Sequence, residues 1–216
     1  VRMTKHCSGQ AAECGVSRHK EPHVKPFESL LADVSACEIC REFLPLGPRP
    51  VLQLDPGARV LIVGQAPGSK VHESGVPFDD ASGDRLRNWL DISREDFYDP
   101  KKVAILPMGF CYPGKGPSGD LPPRAECAVA WRDQLLAHLE AIELTVVLGQ
   151  YAQAYHLSKG GRSVTEHVQA WAEYWPHIVP LPHPSPRNNR WLIRNPWFET
   201  ELLPKLRERV SEVLAK

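Results

Sequence analysis

The sequence predicts an α/β protein, a three-layer α/β/α sandwich around a mostly parallel, four-stranded central sheet. Three observations carry this. Val60-Leu-Ile-Val63 and Leu144 to Leu148 are continuous apolar runs rich in β-branched residues, the pattern of strands buried on both faces. Helical patterns separate them from two further short apolar runs, 103–106 and 177–181, and strands alternating with helices build parallel sheets covered on both sides. The 216 residues suit one hydrophobic core, since a single core serves up to roughly 250 residues.

Taken in order, residues 1–25 are polar, without periodicity, and hold Cys7 and Cys14. They read as a loose arm with two unpaired thiols, ahead of one domain over 26–216. Phe27 to Ala36 repeats apolar residues at helical spacing and leads into Cys37-Glu-Ile-Cys40, which places that pair at a helix end. A proline-rich connector, 45–56, follows. The strand at 60–63 ends in Gly64-Gln-Ala-Pro-Gly68, and a strand ending in a glycine turn opens a site. Residues 84–91 look helical. Residues 125–141 read as an amphipathic helix with Trp131, Leu135 and Leu139 on one face. Gly149 starts another helix after the third strand. The fourth strand, His177 to Leu181, runs directly into Pro182-His-Pro-Ser-Pro186. Residues 198–214 close the chain as a helix begun or kinked at Pro204. In open parallel sheets ligands lie beyond the carboxyl ends of the strands, and both special loops lie there.

Composition narrows the function. Lys and Arg together number 26, as do Asp and Glu, so a global electrostatic grip on a polyanion is excluded and any nucleic-acid contact is local. The longest aliphatic runs fall far short of the ~20 residues a membrane helix needs, and the N-terminus has no apolar signal core. The expectation is a soluble, cytoplasmic monomer with no membrane partner. The 21 prolines are about twice the usual share of ~5%, which predicts rigid surface connections that carry the function. In a reducing compartment the six cysteines favour metal ligation over disulfides. Cys37-x-x-Cys40 alone is a weak signal shared by zinc sites and redox motifs.

The loop His183-Pro-Ser-Pro-Arg-Asn188 presents an imidazole and a hydroxyl on a backbone stiffened by two prolines. With Gly64-Gln-Ala-Pro-Gly68 it is where the sequence resembles the uracil-DNA glycosylase superfamily. That superfamily's signature motifs are a G-[QE]-x-P turn after the first strand and an H-P-S-P loop after the last. The first loop continues to Gly75-Val-Pro-Phe78 and Ala81-Ser-Gly83, similar to the G-E-A-P-G, G-R-P-F and A-G of the iron–sulfur, family 4-like glycosylases. The last loop resembles the H-P-S-P-R-N of the single-strand-selective monofunctional type. Seventy residues separate Cys40 from Cys111 and fifteen separate Cys111 from Cys127, intervals similar to those between the family-4 cluster cysteines.

The resemblance implies a fold, an activity and a set of roles. Cys37, Cys40, Cys111 and Cys127 would ligate a 4Fe-4S cluster, although zinc satisfies the same four thiolates. The partner would be uracil-containing DNA, and the reaction hydrolysis of the uracil N-glycosidic bond after base flipping, leaving an abasic site. His183 would donate to uracil O2, helped by the backbone amides of Gln65 and Ala66. Phe78 would stack on the base, Ser185 would contact phosphate, and Arg187 would fill the emptied stack. Two departures from the superfamily pattern matter. Ala66 stands where the best-known members have a water-orienting Asp, so another group must place the water; of Glu73, Asp80 and Asp84 in the following loop, and His72 beside them, Glu73 or Asp80 is the choice. Pro107 stands where a uracil-reading Asn is usual, so recognition falls to backbone groups or another side chain. These departures keep open a glycosylase-like protein that traps damaged DNA without turnover. A phosphate-holding nucleotide-binding protein is disfavoured, because neither G-x-x-x-x-G-K-[ST] nor G-x-G-x-x-G is present.

Overall fold

The computed structural model describes residues 25–117, 119–157 and 161–216. Cys7 and Cys14, and nearly all of the arm expected over 1–25, lie outside the described residues. Four strands, β1 (Val60–Val63), β2 (Val103–Ile105), β5 (Leu144–Leu148) and β6 (Ile178–Leu181), form a parallel sheet in the order β2-β1-β5-β6. In register, Val60 lies between Val103 and Leu144, and Leu148 faces Leu181. A two-stranded antiparallel hairpin, β3 (Lys115–Gly116) and β4 (Gly119–Asp120), stands apart from it.

Side chains alternate across a strand, and the core divides accordingly. Val60 and Ile62 join one cluster with Leu86, Phe97, Phe198, Leu206 and Val210. Leu61 and Val63 join the other with Leu30, Val34, Leu135, Ala152 and Leu157. Helices α3 (Ala81–Leu90) and α9 (Leu203–Leu214) therefore cover one face, and α1 (Phe27–Ser35), α5 (Asp133–Leu136) and α6 (Gly149–His156) the other. This is the three-layer α/β/α architecture, with every residue of β1 and β2 buried. The open edge of β2 is blunted by Gln53, which bridges Ile105 through the backbone and sends its amide to the carbonyls of Phe97 and Val103. Among the described residues no helix is long and apolar enough to cross a membrane.

The expected helix over 125–141 is not regular. Its apolar face is real, since Trp131, Leu135 and Leu139 join one cluster, but residues Ala128–Arg132 form a π-helical turn before the short α5. The cause is Arg132. It is wholly buried, and the widened turn lets its guanidinium reach the carbonyls of Leu106 and Pro107 at 3.2 and 2.9 Å. The closing helix also begins with a π turn, Phe198–Leu202, and Pro204 sits in the first turn of α9, where its missing N–H costs no internal bond. Four short helices fall in stretches with no expected element: α2 (Ser69–Ser74), α4 (Arg94–Tyr98), α7 (Val164–Gln169) and α8 (Asn189–Arg194).

Candidate active site

β1 and β6 flank β5, so the loops that follow them emerge on the same side of the sheet about 10 Å apart, two strand spacings. Between them lies a cavity of about 710 Å³. Gln65, Ala66, Phe78, Asp80, His183, Ser185 and Arg187 all line it. Glu73 does not. It is exposed on α2, and its carbonyl accepts from Arg49.

The first loop is fixed from behind. Gly64 and Gln65 carbonyls accept from the amides of Met108 and Gly109, both at 2.9 Å, and the Gln65 side chain donates to Leu121 O at 3.1 Å beyond the hairpin. Phe78 is held in an unusual backbone state, with φ of 56°, the left-handed region that costs a bulky residue about 1–3 kcal/mol. Its surroundings impose it. Tyr98 donates its hydroxyl to Phe78 O at 3.2 Å, and Gly83 lies so close that an added Cβ would stand 1.8 Å from that oxygen. The ring meets Phe97 edge-on at 6.1 Å and crosses Gly64, where a Cβ would come within 3.3 Å of Cζ. Phe78 is thus a rigid aromatic wall.

In the second loop the Ser185 amide donates to His183 Nδ1 at 3.2 Å. A ring nitrogen that accepts carries no proton, so the neutral imidazole has its proton on Nε2 and donates from there. Burial pushes the His183 pKa down and keeps the ring neutral, partly opposed by the charges of Asp80 and Asp120. Asn188 donates to His183 O at 2.7 Å, Arg85 to Ser185 O at 3.2 Å, and the Ser185 hydroxyl accepts from the Arg187 amide. Arg187 itself is exposed and reaches across to the hairpin, its Nη1 only 1.9 Å from where a Gly119 side chain would begin.

Residues 52–207, which include both loops, match the sequence model of the Uracil DNA glycosylase superfamily. The chain belongs to that superfamily. The cleft is accordingly that of a DNA glycosylase, an enzyme that hydrolyses N-glycosyl bonds in DNA.

Within this glycosylase cleft the two departures acquire a geometry. Asp80 reaches the cleft, but its Oδ1 is committed as the N-cap of α3, accepting from the amides of Ser82 and Gly83 at 2.9 and 3.0 Å. At the Asn position, the Pro107 carbonyl is turned to buried Arg132 and the next two amides to the first loop. That strip of backbone has no amide left to donate to a base. Cleft residues with polar ends that sequence reasoning missed include Gln150, exposed at the start of α6, and Asp120, at the end of the hairpin. Gln150 follows the strand-ending Gly149, which was a readable signal. Asp120 had none, because two-residue strands leave no pattern.

Cys37, Cys40, Cys111 and Cys127 are free thiols on the face opposite α3 and α9, near α1 and the π turn. Among the described residues no group of three or more His, Cys, Asp or Glu is gathered into ligating geometry. The donor chemistry around these sulfurs nevertheless fits a thiolate-ligated group. Trp131 Nε1 donates to Cys37 at 3.3 Å and the Phe110 amide to Cys127 at 3.5 Å. Cys37 and Cys127 therefore each have an N–H partner, an arrangement that suits anionic sulfur and tunes iron–sulfur centres. Without a cation, burial and mutual repulsion oppose ionisation, and Cys127 is pushed up to about 11.

Proposed function

We propose that the protein is a monofunctional uracil-DNA glycosylase of the iron–sulfur type, acting in base excision repair. One observation carries the reading: a neutral, tautomer-fixed His183 whose Nε2 proton serves a cleft walled by Phe78 and the first loop. Hydrolysis of a deoxyuridine leaves negative charge growing on uracil O2 and positive charge on the sugar, so the task is electrostatic. His183 Nε2–H donates to O2, a contact whose removal costs ~10²–10³ in rate in comparable enzymes. Phe78 stacks on the flipped base, worth ~1–3 kcal/mol. Asp80, held as the helix cap, contributes fixed negative charge that favours the cationic sugar. With the Pro107 backbone engaged, the Gln150 amide reads the pyrimidine edge. Arg187 enters the emptied stack and Ser185 contacts phosphate.

Cys37, Cys40, Cys111 and Cys127 would hold a 4Fe-4S cluster, and zinc would suit the same ligands. A cluster there supplies no step of glycosidic hydrolysis; it would fasten the loop after α1 to the segments carrying Cys111 and Cys127.

Incubation with DNA containing uracil opposite guanine, opposite adenine, or in a single strand tests the reading. Free uracil and alkali-labile sites in excess of protein are expected. A tight or covalent complex formed once per chain would instead mark a trapping protein.

A further inference from the structure

A glycosylase whose first loop carries Ala66 in place of a carboxylate still needs a group to accept the proton of the attacking water. Asp80 and Glu73 are poor sources: one is bound to two backbone amides and the other lies outside the cleft. Asp120 remains. We propose that Asp120, delivered by the β3–β4 hairpin, is the general base of the reaction, an inference that rests on the glycosylase reading above.

Backbone pairing and two side-chain contacts hold the hairpin in place. Lys115 pairs with Asp120 and Gly116 with Gly119, and the Leu121 amide returns to Gly114 O at 2.9 Å. Two contacts tie this unit to the catalytic loops: Gln65 Nε2 to Leu121 O at 3.1 Å, and Arg187 lying against Gly119. Asp120 lies between these contacts. Its Oδ2 stands 3.7 Å from where a side chain on Gly68 would begin, so it leans over the end of the first loop and lines the cleft with His183. Among the described residues neither of its carboxylate oxygens has a hydrogen bond or an ion pair, which leaves both free to receive water. Its charge is felt at the imidazole together with that of Asp80. Two cleft carboxylates thus differ in commitment, one immobilised as a cap and one open, and such pairs divide electrostatic and proton-transfer roles.

In the step, a lone pair of the water oxygen forms the bond to C1′. The C1′–N1 bond breaks and its electron pair passes into the uracil ring, where His183 Nε2–H bonds O2. The proton lost by the water goes to an Asp120 carboxylate oxygen and from there to solvent, which also reprotonates the departing uracil anion. Every charge is accounted for without an external reactant.

The test uses the full chain with uracil-containing DNA under single-turnover conditions. Asp120→Asn keeps the shape and removes the base, so the rate should fall by ~10²–10⁴, the usual worth of general-base catalysis, while DNA affinity and the thermal midpoint stay at wild-type values. Asp120→Ala opens space for a small carboxylate, and added formate should restore part of its rate. A structural or charge-repulsion role would not respond to formate. An Asp120→Asn rate equal to that of an active wild type overturns the inference and leaves the glycosylase reading intact. So does a slow Asp120→Ala that formate does not help. A wild-type chain that releases no uracil overturns both.

Discussion

At the scale of single residues, the cleft works by holding a few groups rigid, and His183 is the clearest case. Its Nδ1 is occupied by the Ser185 amide, so the ring cannot change tautomer without losing a bond. His183→Ala is expected to lower the single-turnover rate by ~10²-fold or more with DNA affinity nearly unchanged, because the bond to O2 strengthens only as charge develops. A matching loss of affinity at an unchanged rate would assign the ring a binding role. His183 and the first loop were legible in the sequence because proline and glycine fix backbone, and fixed backbone leaves a pattern; Phe78 came from the family resemblance alone. Arg132 and Asp120 were not legible. A buried arginine in an amphipathic stretch looks like any solvated one until its carbonyl partners across the fold are known, and here those partners belong to Leu106 and Pro107, a different segment.

Elements then decide how those residues meet. The H-P-S-P loop and the hairpin come from distant parts of the chain and touch where Arg187 lies on Gly119. On the proposed reading, a side chain carried at that junction would enter a DNA stack once the hairpin contact is exchanged for bases. Arg187→Ala should flatten the salt dependence of binding by about one counterion, a visible loss in a chain of zero net charge. It should slow cleavage most for a firmly stacked uracil–adenine pair, less for a uracil–guanine mismatch and least in a single strand. Equal losses on all three would reduce Arg187 to a phosphate contact. The cysteine segments join elements in another way, with Cys37 after α1 bonded by Trp131 of the π turn. Protein purified without oxygen is expected to be brown with about four irons per chain, and Cys111→Ser should lower the thermal midpoint before it changes chemistry. A colourless preparation holding one zinc would replace the cluster with the tetrahedral alternative. Short helices such as α4 and α7 escaped the sequence because five or six residues hold less than two helical turns; their caps, Ser93 and the Ser163–Glu166 box, were the only signals available.

Over the whole molecule, the sheet was the legible part. Four apolar runs buried on both faces admit little besides a covered parallel sheet, and their order of burial follows from alternation alone. What alternation does not reveal is how charge is distributed through the layers, and one consequence is acid sensitivity. His156 ends α6, where the helix dipole would favour a protonated ring. Burial, followed by the charge of Arg132, outweighs the dipole and drives His156 down to about 4, so its Nε2 accepts from the guanidinium at 2.8 Å. Burial moves His183 in the same direction. For both groups the folded chain binds a proton less readily than the unfolded one. Both contributions are therefore complete above the ordinary histidine value of 6.5 and decline below it; that of His156 is lost as pH falls toward about 4, at a cost on the order of 3 kcal/mol. Denaturant midpoints should fall across that window. His156→Gln offers Arg132 an acceptor that does not titrate, so it should flatten the fall while leaving the neutral-pH midpoint close to wild type; an unchanged acid slope would place the sensitivity elsewhere in the fold.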